Sequence, residues 1–385
     1  MVTAANAPWG EPRALYVHVP FCRHRCGYCD FTLVAGRDDL IERYLSALKQ
    51  ELARVVPADV ELDTLFFGGG TPSHLSPEQL RTLFDLILQH VRLTDGAEFS
   101  IEANPLDLTD DRIAELVRAG VNRVSVGVQS FQADELTVLE RDHSPSDAIR
   151  LVRRLMDSIP NTGVDLIFGV PGQSLEHWRE NLGRVIELGP PHVSTYGLTF
   201  EKGTAFWSRR QKGQLRQQPE ELEREMYNLA IEMLTAVGYR HYELSNFARP
   251  GFECRHNLVY WNARSYYAAG PGAASYLEGA RRTNHRSTTH WIERALAGEE
   301  AVGFREQLGK EDIAREALML GLRKRSGIDR AGFEQRFGVD FEELAGDAMR
   351  RMVANGWLAW DGAVLQLTAE GVFVADSVVG EFLVS

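Results

Sequence analysis

The stretch "LYVHVPFCRHRCGYCDF", Leu15–Phe31, joins a β-branched run to three of the chain's four cysteines, spaced C-x3-C-x2-C. Leu15–Val19 has the composition of a buried strand, and the reactive side chains begin where that strand stops. The arrangement recurs along the chain. Runs at Asp63–Phe67, Glu98–Glu102, Arg123–Val128, Gly163–Gly169 and Val193–Leu198 also read as strands, and amphipathic stretches separate them. The first such stretch, Asp38–Val56, sets Leu40, Ile41, Tyr44, Leu45, Leu48, Leu52 and Val55 at helical spacing. Others follow at Ser76–His90, Thr109–Ala119, Ser144–Met156 and Ser174–Leu188, two of them opening on Ser-Pro at the N-cap and first-turn positions. Alternating units of this kind predict parallel strands with crossover helices. About six units are too few to close an eight-stranded barrel. Polar residues nevertheless gather at the strand ends, in "HVPFC", "GGGTP", "EANP", "QSF" and "DLIFGVPGQ", where barrels assemble their sites. The expected class is α/β, a partial (β/α)6 barrel.

The pattern changes near residue 200, and from about Arg305 it reads as three helices, then "WLAWDGAVLQLT" as two strands across an Asp-Gly turn. This is a mainly helical, winged-helix-like ending. The expected division is 1–235 for the barrel, 236–300 for a connecting segment and 301–385 for the C-terminal domain. That domain is net acidic, the wrong sign for a wing that reads DNA, so packing or partner docking is expected of it. "RKR", Arg323–Arg325, reads as a solvated helix end.

Acidic side chains outnumber basic ones 54 to 42, a formal charge of -12 that opposes attraction to nucleic acid or to an anionic lipid surface. The opening "MVTAANAPWGEPRA" has neither a basic start nor an apolar core of signal-peptide length, so a cytoplasmic location is expected. Four cysteines in 385 residues do not make a disulfide framework, and a reducing compartment leaves the clustered three as metal ligands. Zinc would want a fourth ligand, for which His24, Asp30 or the distant Cys254 is available. The sharper expectation is a four-iron cluster, [4Fe-4S], on Cys22, Cys26 and Cys29, with one iron left open to a chelating small molecule.

The cysteine triad after the first strand, with an aromatic residue before its last Cys, resembles the radical S-adenosylmethionine superfamily. The resemblance implies that S-adenosylmethionine chelates the open iron and is cleaved by an electron from the cluster to a 5'-deoxyadenosyl radical. It also implies which residues receive that ligand. "GGGTP" (Gly68–Pro72) would place Gly69, Gly70 and Thr71 against the methionine moiety, and Glu102 would pair with the ammonium. Gln129 and Asp165 would bond the ribose hydroxyls or the carboxylate, Arg141 would clamp the carboxylate, and Tyr16 matches a further contact.

"YVHVPFCRHRCGYCDF", "FFGGGTPS", "GVQSF", "VDLIFGVPGQ" and "HNLVYW" together resemble the oxygen-independent coproporphyrinogen III oxidase branch over nearly the whole chain. Its decarboxylases carry one more Cys, where this chain has Phe31. A Phe there and an H-N-x-x-Y-W motif are marks of the HemW-type haem chaperones, which bind haem and pass it to acceptor haem proteins. On this resemblance His256 is the expected haem ligand, with Tyr260 and Trp261 facing the porphyrin; the bland alternative is a packed segment with satisfied polar tips. Cys254 reads as a buried inert thiol, with haem ligation the lesser alternative. Haem and its acceptors are the expected partners, nucleic acid is not, and peripheral membrane contact and a homodimer stay open. The competing function is radical decarboxylation of a porphyrinogen.

Overall fold

The computed structural model describes residues 7–383; Met1–Asn6, part of the segment read for a targeting signal, lie outside it. Nine strands form the main sheet among the described residues. Six are the expected parallel strands, side by side in chain order: β1 Ala14–Val19, β2 Val60–Gly69, β3 Val91–Ala103, β4 Arg123–Gln129, β5 Asn161–Phe168 and β6 His192–Gly197. The short strands β7 Arg240–Glu243 and β8 Asn246–Ala248 extend the β6 edge antiparallel, and β9 Tyr267–Ala269 lies parallel beside β1.

The crossover helices are α1 Ile41–Val55, α2 Pro77–Leu88, α3 Asp110–Ala119, α4 Pro145–Ser158 and α5 Leu175–Leu188. Both Ser-Pro starts form capping boxes: Ser76 accepts from Gln79 N and Ser144 from Asp147 N, each third residue bonding back to the cap. The apolar faces of these helices bury against the sheet. Phe67, Phe84 and Phe99 pack with ring centroids 5.3 to 5.6 Å apart, each fully buried ring worth about 1.5–3 kcal/mol.

Residues 236–300, read as a connection, enter this same core through Tyr239, Phe247, Tyr267, Trp291 and Ile292. Buried Glu51 of α1 holds them there, accepting from Gly270 N at 2.7 Å, Asn284 Nδ2 at 2.7 Å and Trp291 Nε1 at 3.1 Å. The helices α6 Glu220–Ala236, α7 Arg255–Trp261 and α8 Thr288–Leu296 belong to this half. From Lys310 onward, α9 Lys310–Gly321, α10 Arg330–Phe337 and α11 Phe341–Ala354 precede the hairpin β11 Leu358–Trp360 and β12 Val364–Leu367. A short strand unforeseen in the sequence, β10 Ile328–Asp329, completes this three-stranded wing.

Arg323–Arg325 is not a solvated helix end. The Arg323 guanidinium lies 4.9 Å over the Trp261 ring, Lys324 Nζ donates to Asn262 Oδ1 at 2.5 Å, and Arg325 Nη1 donates to Leu367 O at 3.1 Å. Arg323 and Lys324 tie α7 to the C-terminal domain while Arg325 braces that domain internally, their long stems covering apolar surface while their heads find partners.

Candidate cofactor site at the barrel rim

The strand ends converge on a cavity of about 440 Å³, lined among others by Cys22, Cys26, Cys29, Gly69, Gly70, Thr71, Glu102, Gln129, Arg141 and Asp165. These ten residues come from five separate strand ends and the loops after them. Parallel register brings them together, since every βα unit delivers its strand's C-terminal end to the same rim. At the end of β4 the register slips between Gly127 and Gln129, and Gln129 takes a left-handed φ of 66°, which re-aims its amide into the cavity.

Cys22 Sγ lies 3.2 Å from Thr71 Oγ1, and Cys26 Sγ lies 3.8 Å from both Arg141 Nη1 and Glu140 O. Burial pushes the Cys22 thiol up to about 12 and raises that of Cys29 as well. Thiols so placed ionise when a metal centre supplies the compensating charge. Arg141 donates Nη2 to Gly127 O at 3.0 Å, while its buried Nε has no partner. The carboxylates are held up too. Burial lifts Glu102 to about 7 against the pull of the Gly69 N–H, and burial also raises Asp165. A cavity with three thiols, an unspent guanidinium N–H and two desolvated carboxyls calls for a cluster and for a ligand carrying both a cation and a carboxylate. The residues present fit a [4Fe-4S] cluster and S-adenosylmethionine. The backbone fits as well: a Cβ on Gly70 would stand 2.8 Å from Phe21 O and from the Pro20 carbonyl carbon, so this turn lies flush on the exit of β1.

The cysteine loop is fixed from outside. Arg286 donates to Asp30 O at 2.5 Å and to Thr32 Oγ1 at 3.1 Å, and from within the loop Arg25 donates to Leu33 O at 2.9 Å. On the other flank, Phe206 N donates to Gly27 O at 2.8 Å and its ring packs edge-on to Tyr28 at 6.0 Å. That support comes from the polar stretch after residue 200, which the sequence marked only as a change of pattern. Sequence reasoning also missed Tyr28, Ser125 and Tyr196 in the cavity wall. Ser125, which bonds Asp165 Oδ1 at 2.9 Å, sits on a strand whose alternation signalled no more than an inward residue.

Tyr16 does not line this cavity. It stacks on Phe66 at 6.1 Å, bonds His18 Nδ1 at 3.1 Å and faces an adjoining inner chamber of about 200 Å³. The HNLVYW segment lies at that chamber too, as helix α7. His256 is 1 % exposed, and both ring nitrogens are engaged: Nδ1 with Thr64 Oγ1 at 2.8 Å and Nε2 with Tyr260 OH at 2.7 Å. Burial lowers its pKa to about 3, so the ring is neutral. Ligation of an iron by His256 would require release of Thr64 or Tyr260. Trp261 is taken up by Arg323, and Cys254, 2 % exposed, lies 3.7 Å from Glu98 Oε1. Glu98 also accepts from the first two N–H groups of α7.

A parallel half-barrel with a cysteine triad, a glycine turn and a ring of acid, amide and guanidinium at one rim is the architecture of a radical S-adenosylmethionine protein. The chain matches the Radical SAM superfamily over residues 16–185 and the HemN C-terminal domain over residues 308–374. The solved coproporphyrinogen III oxidase HemN from Escherichia coli has the same fold, with a TM-score of 0.86 over 98 % of this chain and 91 % of that one, at 24 % identity. The sequence is 36 % identical to the haem chaperone HemW of Bacillus subtilis (strain 168), covering 96 % of this chain and 99 % of that protein. It is 37 % identical to the HemW of Lactococcus lactis subsp. lactis (strain IL1403), covering 97 % of this chain and 98 % of that protein. The chain belongs to the HemW family.

Proposed function

We propose that this protein binds haem and delivers it to an acceptor haem protein, while carrying a [4Fe-4S] cluster on Cys22, Cys26 and Cys29 with S-adenosylmethionine at the open iron. The observation that carries the reading is the near full-length match to relatives named as haem chaperones. Phe31, standing where the decarboxylases of the resembling branch carry a further cysteine, points the same way.

When bound, the cluster and S-adenosylmethionine supply one-electron chemistry. The residues around them do the rest. Thr71 and Arg141 stand against the sulfurs of Cys22 and Cys26, where hydrogen bonds and positive charge stabilise thiolate. Gly69 and Gly70 would bring backbone to the ligand, Glu102 would take its ammonium, Arg141 its carboxylate, and Gln129 and Asp165 its ribose hydroxyls or carboxylate. Tyr16, one layer deeper, supports that floor through Phe66 and His18. His256, Tyr260 and Trp261 bear on haem only by shaping α7, since the imidazole is spent inside the protein. A haem titration of the anaerobically reconstituted protein tests the reading. One haem per chain with a saturable difference spectrum is expected; no saturable binding would overturn it.

A further inference from the structure

If the protein holds haem, its iron needs a ligand other than the buried ring of His256, and the barrel mouth offers one. Of the eleven histidines in the chain, His24 is the one that lines the large cavity. Its side chain is 57 % exposed, and the Glu140 carboxylate stands 3.6 Å from its Nε2, longer than a hydrogen bond. The other candidates are committed or distant from this cavity. His18 bonds Tyr16 and Thr32 O, His74 bonds Asp38, and His192 bonds Tyr242.

Two features beside His24 suit a flat dianionic macrocycle. Phe31, 58 % exposed, is the most exposed large apolar side chain among the described residues, and it sits on the same loop at the rim of the same cavity. Arg286 and Arg25 brace the loop that carries it, so the ring is presented at a fixed place on the rim. Tyr196, 43 % exposed, adds a second aromatic surface in the wall of that cavity. On either side of His24 stand the exposed Arg23 and Arg25, the first paired at 3.4 Å with Asp107 Oδ1 and the second donating to the Leu33 and Cys29 carbonyls, each with further guanidinium N–H groups toward solvent. Asp30, Glu140, Asp142 and Glu201 also line the cavity, and Arg23 is the exposed cation in its lining, with Arg25 two residues on along the same loop.

We infer that haem seats across the barrel mouth, over the cofactor cavity, with His24 as the axial ligand of its iron, Phe31 against its face and Arg23 and Arg25 at its propionates. The inference rests on the haem-chaperone reading. It places the cargo above the cluster site.

Haem difference spectra of the cluster-reconstituted protein test it, with iron and sulfide content of each variant checking that the nearby triad is intact. His24→Ala should remove the signature of histidine-ligated iron and weaken haem binding about tenfold or more, a loss of about 1.4 kcal/mol or more. His24→Cys should replace that signature by one of thiolate ligation, a change that a merely structural role would not produce. Phe31→Asp should also weaken haem binding while leaving the cluster in place. Wild-type affinity and spectrum in His24→Ala, with loss in His256→Phe instead, would overturn the mouth site and leave the haem reading standing. A wild-type protein that binds no haem would overturn both.

Discussion

At the scale of single residues the rim cavity depends on the absence of side chains as much as on their presence. Gly70 N bonds Val19 O at 2.8 Å, so the glycine turn is stitched to the strand that delivers Cys22. Gly70→Ala must push the turn away from Pro20 and Phe21, and with it the backbone offered to the methionine moiety. The expected outcome is a folded protein with S-adenosylmethionine affinity lowered about tenfold or more, measured by calorimetric titration of the reconstituted form. Unchanged affinity would remove the turn from the ligand site. Much of this level was legible in the sequence. Cys22, Cys26, Cys29, Gly69, Gly70, Thr71, Glu102, Gln129, Arg141 and Asp165 surround one cavity because a strand-end polar residue in a parallel βα array has one place to go. His256 shows the limit of such reading. Imidazole next to aromatics has the composition of a binding motif and of a satisfied core, and what decides is Thr64, far away in sequence on β2.

Elements were legible in proportion to their length and amphipathicity. The six parallel strands and five crossover helices declare themselves by period, and two of the helix starts by Ser-Pro caps. The helix α7 did not, being seven residues long with five of them (His, Asn, Val, Tyr and Trp) of weaker helix propensity; it exists because Glu98 caps it and Arg323 and Lys324 cover it. The wing has a comparable hidden constraint. A Cβ on Gly371 would overlap the Trp357 carbonyl oxygen, where the chain after β12 returns against the residue before β11. Gly371→Ala should cost about 1–3 kcal/mol or more through overpacking. The loss should appear as faster amide hydrogen exchange in residues 310–383, with β1–β6 unchanged. Equal acceleration in both halves would mean that the two cores unfold as one.

For the whole molecule, buried histidines couple stability to pH. His241 stacks on Phe247 at 4.5 Å, bonds Leu244 O at 3.1 Å, and faces Tyr227 OH at 3.4 Å and the Arg325 charge. Burial lowers its pKa to about 4, and Arg325 adds to that. A depressed histidine contributes stability above its unfolded value of about 6.5 and loses it as pH falls toward 4. His241→Phe keeps the stack and removes the titration, so its unfolding free energy from denaturant titration should fall less than wild type's between pH 6.5 and 5, by about 1.5 kcal/mol. Parallel slopes would show that other groups set the acid limit. Among the described residues no helix is long and apolar enough to cross a membrane. The most direct test of the central claim is an anaerobic assay of the reconstituted protein with S-adenosylmethionine, a low-potential reductant and coproporphyrinogen III, following decarboxylated tetrapyrrole. A haem carrier of this family, with Phe31 beside its cysteine triad, should form none although its cluster is intact and its ligand bound; catalytic formation of protoporphyrinogen would contradict the account.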